Sequence, residues 1–234
     1  LAGIVDRLCF RLTVAEASLH GLNAGYPNTG YMGIPLAIAA FGEEAALPAV
    51  VAATITVLTI SLAIVPIEIS RQGRDQMAKV IGRILKALVT NPMIVAPVLG
   101  LIWAGLGFEM VKPIAQMTEL LGGSAGPCAL MAIGLFMVGK PITDGSWEVG
   151  VMTFAKLIMQ PLFTAVAVLI MFPTDPLWAA VAILLAALPI GSGPFVLAQA
   201  QGIYVRRTST VMLVTTVLSV ATVSAFLVIF PLPV

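Results

Sequence analysis

Apolar residues run through this chain in blocks too long for the alternation of a soluble helix or strand, and the polar positions between the blocks fall in a regular order. Ala45 to Ile69 is 25 residues of almost unbroken apolar sequence; as a helix it rises about 37 Å, enough to cross a bilayer with some tilt. Met93 to Leu106, which Asn91 and Pro92 introduce, Val149 to Phe172 and Ser209 to Ile229 read the same way. Glu16 to Phe41, Pro113 to Gly139 and Leu177 to Tyr204 are also apolar, but each carries helix breakers in its interior. Leu1 to Val5 is too short to span and reads as the end of a helix whose start lies upstream, followed by a loop from Asp6 to Arg11. Arg71 to Lys86 holds five of the twelve basic residues and reads as a hydrophilic connector lying on the membrane surface. The pattern predicts seven complete spans and a remnant, with the connector dividing the chain into 1–86 and 87–234.

The interior breaks carry the information. In Gly25 to Pro35, GYPNTGYMGIP, Pro27 and Pro35 lack an amide donor, and Gly25, Gly30 and Gly33 favour non-helical dihedrals. In hydrocarbon, freed backbone groups are tolerated only where they are buried in protein or line a wet cavity. Asn28 and Thr29 stand at that break as ready donors and acceptors. A second break is predicted at LPIGSGPF, where Pro189, Gly191, Ser192, Gly193 and Pro194 cluster, and a third at GGSAGP, Gly122 to Pro127. The first and second share an order: a proline-centred break, a glycine (Gly42 or Gly202), a charged turn, then one unbroken span. Corresponding broken segments in two halves point to an inverted-repeat transporter with its site near the midplane.

Composition narrows the class. The 234 residues are 59% hydrophobic and 10% charged, with a mean hydropathy of +1.06, which excludes a soluble globular domain. Net charge is +1 with no basic block, which argues against nucleic acid as a partner. Cys9 and Cys128 lie far apart and read as unpaired thiols, with no metal or cofactor implied. The chain begins at Leu1 and shows no signal peptide, since Asp6, Arg7 and Arg11 interrupt its apolar core, so an upstream piece is expected. Basic residues alternate from loop to loop: Arg7 and Arg11, the connector, Lys140, then Arg206 and Arg207 on one side, against Glu43 and Glu44, Glu109 with Lys112, and Asp175 on the other. That places the connector in the cytoplasm and the C-terminus outside.

The string PNTGYMGIPL followed by FG resembles the signature of the auxin efflux carrier family, whose bacterial members are described as malate or malonate permeases. Asn91–Pro92, IGLFMV at Ile133 to Val138, and AALP with PFVLA between Ala186 and Ala198 carry the resemblance through the second half. It implies an all-α polytopic membrane protein of two inverted five-helix repeats, bile acid symporter or PIN-like. Proline-broken fourth and ninth helices would cross at the site, and this chain would run from the end of helix three to helix ten. It also implies alternating access, a homodimer, and a bacterial inner membrane location. Pro27 and Asn28 match the first crossover proline and its asparagine, and Pro189 the second crossover proline. Gln199, Ala200, Gln201 and Gly202 depart from the charged, asparagine-bearing stretch of plant members, which weighs against auxin itself.

The expected substrate is a small organic anion, because broken-helix N-termini present free amides and Asn28, Thr29 and Ser192 add neutral donors. Gln199 and Gln201 are further donors. Lys156 lies inside a span and reads either as a functional cation or as a side chain snorkelling to the interface. Gln160, one turn on, faces the same side, and His20 reads as a solvated interfacial residue. Proton- or sodium-coupled exchange is the rival on the same architecture, weakened because Asp6, Asp75, Asp144 and Asp175 all read as loop residues. From another class, GGSAG spells G-x-S-x-G around Ser124, with His20 available, as in a serine hydrolase; the motif lacks its strand-turn-helix context.

Overall fold

The computed structural model describes residues 12–72, 81–82, 86, 89–90, 92–138 and 146–229. The predicted remnant at 1–5, the predicted first loop with Cys9, most of the predicted connector and residues 139–145 lie outside the described residues.

Helix α1, Val14–Gly25, starts on a capping box: the Thr13 hydroxyl accepts from the Glu16 amide while the Thr13 amide donates to Glu16 Oε2 at 2.9 Å. It ends because Pro27 bars the α region to the residue before it, and Tyr26 turns extended at φ −98°, ψ 99°. The chain resumes as a π turn, Thr29–Gly33, and continues into α2, Ile34–Phe41. Gly42, at φ 82°, and a 3₁₀ turn, Glu43–Ala45, lead into α3, Ala46–Gln72. Next come α4, Pro92–Gly105, and α5, Lys112–Met137. Ser146 to Met171 is one continuous run: α6 (Ser146–Phe154), a π turn at Ala155–Met159, α7 (Gln160–Val166) and a π turn at Ala167–Met171. Pro161 has no amide to give to the carbonyl four residues back, and the wider turn beside it absorbs that defect without ending the helix.

Helix α8, Pro176–Ala187, begins with proline in its first turn and with Asp175 accepting from the amides of Leu177 and Trp178. It ends as α1 does: Leu188, before Pro189, is extended at φ −65°, ψ 156°. Helix α9, Gly193–Gln201, stops on Gly202 in the left-handed region, and α10, Val205–Ile229, follows.

Several expectations are corrected here. GGSAGP does not break its helix: α5 runs through Gly122 to Pro127 without interruption. The first break is narrower than Gly25 to Pro35, because Gly30 and Gly33 lie in the π turn and Pro35 is the second residue of α2. Likewise Gly193 and Pro194 open α9, leaving Leu188 to Ser192 as the second break. Arg206 and Arg207 sit in the first turn of α10 rather than in a loop, and Glu148 sits in the first turn of α6. Three described helical segments are long and apolar enough to cross a membrane, Glu43–Ile67, Trp147–Met171 and Val205–Val228. The proline breaks leave Thr29–Phe41 and Pro176–Ala187 shorter.

Packing follows membrane rules. Ala37, Ala45, Ala49, Val181, Leu184 and Leu188 form a buried cluster where α2, α3 and α8 meet, and small side chains let those backbones approach. A second cluster joins Leu19, Leu22 and Tyr26 to Ile67 and Leu197. By contrast, Leu99, Ile102, Trp103, Leu120 and Leu121 on α4 and α5 are exposed. So much outward apolar surface suits lipid, not water.

Candidate functional site

The two breaks lie against each other. The Asn28 amide donates to the Pro189 carbonyl at 2.9 Å, and the Gly191 amide to the Tyr26 carbonyl at 3.1 Å, giving one antiparallel bridge between Pro27 and Ile190. Each extended segment, deprived of helical partners by its proline, thus satisfies backbone groups on the other. Gly191 is required by the closeness of that approach: a Cβ there would sit 2.8 Å from the Tyr26 ring and 3.2 Å from the Pro27 carbonyl oxygen. The Ile190 amide donates to the hydroxyl of buried Thr215, tying the second break to α10.

Beside the crossing is a cavity of about 370 Å³. Tyr26 to Tyr31 border it from the first break and its π turn, Gly191, Ser192 and Gly193 from the second, and Val57, Ile60, Ile64, Val196 and Leu197 form an apolar wall. The first amides of a helix have no acceptor within it; the Thr29 amide turns back to the Pro27 carbonyl at 2.9 Å, and the amides that follow it, like those at the start of α9, carry a partial positive charge. Asn28 and Thr29 are each 3% exposed, border the cavity, and make no side-chain hydrogen bond among the described residues. Two polar side chains so placed on a cavity wall mark a place for a polar ligand.

Of the residues singled out from the sequence, the structure gathers Pro27, Asn28, Thr29, Gly30, Gly191, Ser192 and Gly193 around this cavity, with Pro189 bonded beside it. Pro35, Pro194, Gln199 and Gln201 do not border it, and Gln199 is exposed. Lys156 does not border it either, nor does it snorkel: it is fully buried, with Nζ donating to the Ala186 carbonyl at 2.8 Å. His20 is buried rather than solvated, its ring edge-on to Tyr204 at 6.3 Å. The Ser124 hydroxyl bonds its own helix at Leu121, and Cys128 is an exposed free thiol.

Sequence reasoning missed Tyr26 and Tyr31 on the cavity wall, although both flank the motif. It also missed a cluster at the ends of α6 and α10, where Glu148 accepts from the Tyr204 hydroxyl at 2.6 Å and pairs with Arg207 at 3.1 Å. Tyr204 is the non-glycine residue held at positive φ there.

Apolar helices, two interrupted spans and a cavity at their crossing with polar groups on one wall define an integral membrane protein built to handle a solute. Residues 1–227 match the membrane transport protein family, and the chain belongs to it. It is a transporter rather than an enzyme. It is 35% identical over 224 residues to a protein of Rhizobium meliloti (strain 1021) named "Putative malonate transporter", covering 93% of this chain and 68% of that one. It is 32% identical over 151 residues to auxin efflux carrier component 3 of Arabidopsis thaliana, covering 58% of this chain and 23% of that one. The transporter YfdV of Escherichia coli (strain K12) is 25% identical over 156 residues, 65% of this chain and 49% of its own.

Proposed function

We propose that the protein is a secondary carrier of small organic anions that works by alternating access, with the anion held in the cavity at the crossing. The observation that carries this is the pair Asn28 and Thr29, buried, unpartnered and bordering a cavity onto which two half-helices open their N-termini. A carboxylate there would accept from the side-chain amide of Asn28, the Thr29 and Ser192 hydroxyls and the backbone amides of Gly30, Tyr31 and Gly193. These neutral donors cost little to desolvate and release an anion more readily than a buried cation would. The malonate in the name of the Rhizobium relative makes malonate and malate the first candidates, with auxin-like carboxylates behind them.

The architecture we propose is the inverted repeat, with 1–86 ending the first five-helix repeat and 87–234 forming the second. The order helix, proline break, half-helix, turn and long helix supports it, recurring in α1–α3 and α8–α10. We place the protein in the bacterial inner membrane with the connector cytoplasmic and the C-terminus outside, as a homodimer. Coupling to H⁺ or Na⁺ belongs to the same proposal. The test is uptake of labelled malonate, malate and an indole acid by proteoliposomes of the full-length protein, with pH and sodium gradients imposed separately. Saturable uptake of one of these supports the reading, and its gradient response identifies the coupling ion. No uptake of any by folded protein would remove the anion class.

A further inference from the structure

The continuous helix from Ser146 to Met171 touches both broken helices at equivalent points. Lys156 Nζ donates to the carbonyl of Ala186, in the last turn of α8. Gln160 Nε2 donates at 2.8 Å to the carbonyl of Gly25, the last residue of α1. The last carbonyls of a helix have no partner within it and concentrate partial negative charge. Here the two half-helices that end at the crossing leave such carbonyls, and two side chains four positions apart on one neighbouring helix take one from each. Lys156 is fully buried, with no carboxylate within ion-pairing distance among the described residues. Its amine therefore faces the helix-end carbonyl of Ala186 rather than a carboxylate.

We propose that Lys156 and Gln160 are positioning residues that hold the two half-helix ends in register and so set the shape of the cavity. Neither borders the cavity, so their influence passes through the backbone. Gly25 immediately precedes Tyr26, whose carbonyl accepts from Gly191. Ala186 is three residues before Pro189, whose carbonyl accepts from Asn28. The π turn at Ala155–Met159 contains Lys156 and ends against Gln160, so the same defect that accommodates Pro161 aims both donors. Lys156 supplies an amine donor to one helix end and Gln160 an amide donor to the other.

The test uses the full-length protein with Cys9 and Cys128 replaced by serine and Ser192→Cys as a reporter in the cavity wall. The rate of its alkylation by iodoacetate, a negatively charged reagent that forms a thioether and releases iodide, requires no transported substrate, so it reads the cavity even if the anion assignment fails. Lys156→Met is expected to raise that rate at least fivefold as the crossing loosens, and Lys156→Gln, which keeps an N–H donor, to return it to within about twofold. In the protein retaining Ser192, Lys156→Met is expected to raise the KM for malonate about tenfold while Vmax stays within threefold. Gln160→Met, neutral for neutral, is expected to raise the alkylation rate at least threefold and carries the test alone if Lys156→Met fails to insert. Alkylation at the parent rate in either folded variant would overturn the proposal.

Discussion

Gly191→Ala is the sharpest probe of the crossing. The added Cβ would lie 2.8 and 3.0 Å from two carbons of the Tyr26 ring and 3.2 Å from the Pro27 carbonyl oxygen, against an ordinary carbon–carbon separation of about 3.5–4.0 Å. The ring can swing, but the carbonyl cannot retreat freely. It belongs to a segment pinned on both sides, by Asn28 donating to Pro189 and by Gly191 itself donating to Tyr26. Relief therefore requires the two breaks to part by several tenths of an ångström. Overpacking of this kind costs about 1–3 kcal/mol, and a lengthened or lost backbone hydrogen bond about 0.5–1.5 kcal/mol more. The two together come to about 1.5–4.5 kcal/mol, and a share of 1–3 kcal/mol felt at the site raises KM roughly five- to 150-fold. The assay is thermal unfolding in detergent together with uptake kinetics, against Gly150→Ala as control. A Cβ at Gly150 meets nothing within 4 Å, and alanine favours a helix interior by about 1 kcal/mol, so that variant should be as stable as the parent or more so. Adding Tyr26→Ala to Gly191→Ala should recover part of the loss, since two of the three contacts go with the ring. Parent-like stability and kinetics in Gly191→Ala would refute the close approach of the two segments.

Pro27→Ala restores an amide and lifts the restriction on Tyr26; it should insert normally yet transport at a small fraction of the parent rate, with parent-like flux contradicting the need for the break. Asp175→Ala removes the acceptor for two amides at the start of α8, and about 1 kcal/mol of stability should go with it, visible as a lower melting temperature with unchanged KM. Arg207→Gln breaks the pair with Glu148, whose side chains are 35% and 15% exposed. Salt-screened pairs of this kind contribute under about 1 kcal/mol, so the drop in melting temperature should be small and should shrink further at high salt.

How far the sequence disclosed this site depends on whether its causes are local. Pro27 and Pro189 disclosed both breaks because proline acts on its own backbone and on the residue before it, wherever the chain goes next. The pairing of the breaks was not legible from residue type, because Asn28 and Pro189 meet only through tertiary packing. Gly122 to Pro127 misled: glycine and proline are tolerated within membrane helices, so their presence does not by itself decide between a break and a continuous span. Lys156 reads from the sequence as either a functional cation or a snorkelling side chain, and its partner, the Ala186 carbonyl thirty positions away, comes only from packing. Glu148, Tyr204 and Arg207 were unreadable as a cluster because Glu148 is more than fifty positions from the other two.

The central claim is that the anion sits at Asn28, and the most direct measurement is concentration-dependent malonate uptake by the full-length protein and its Asn28→Ala variant in matched proteoliposomes. A lost hydrogen bond to a charged group is worth about 1.5–3 kcal/mol, so the account predicts a KM raised tenfold or more with insertion and melting temperature unchanged. Superimposable uptake curves from the two proteins would contradict it.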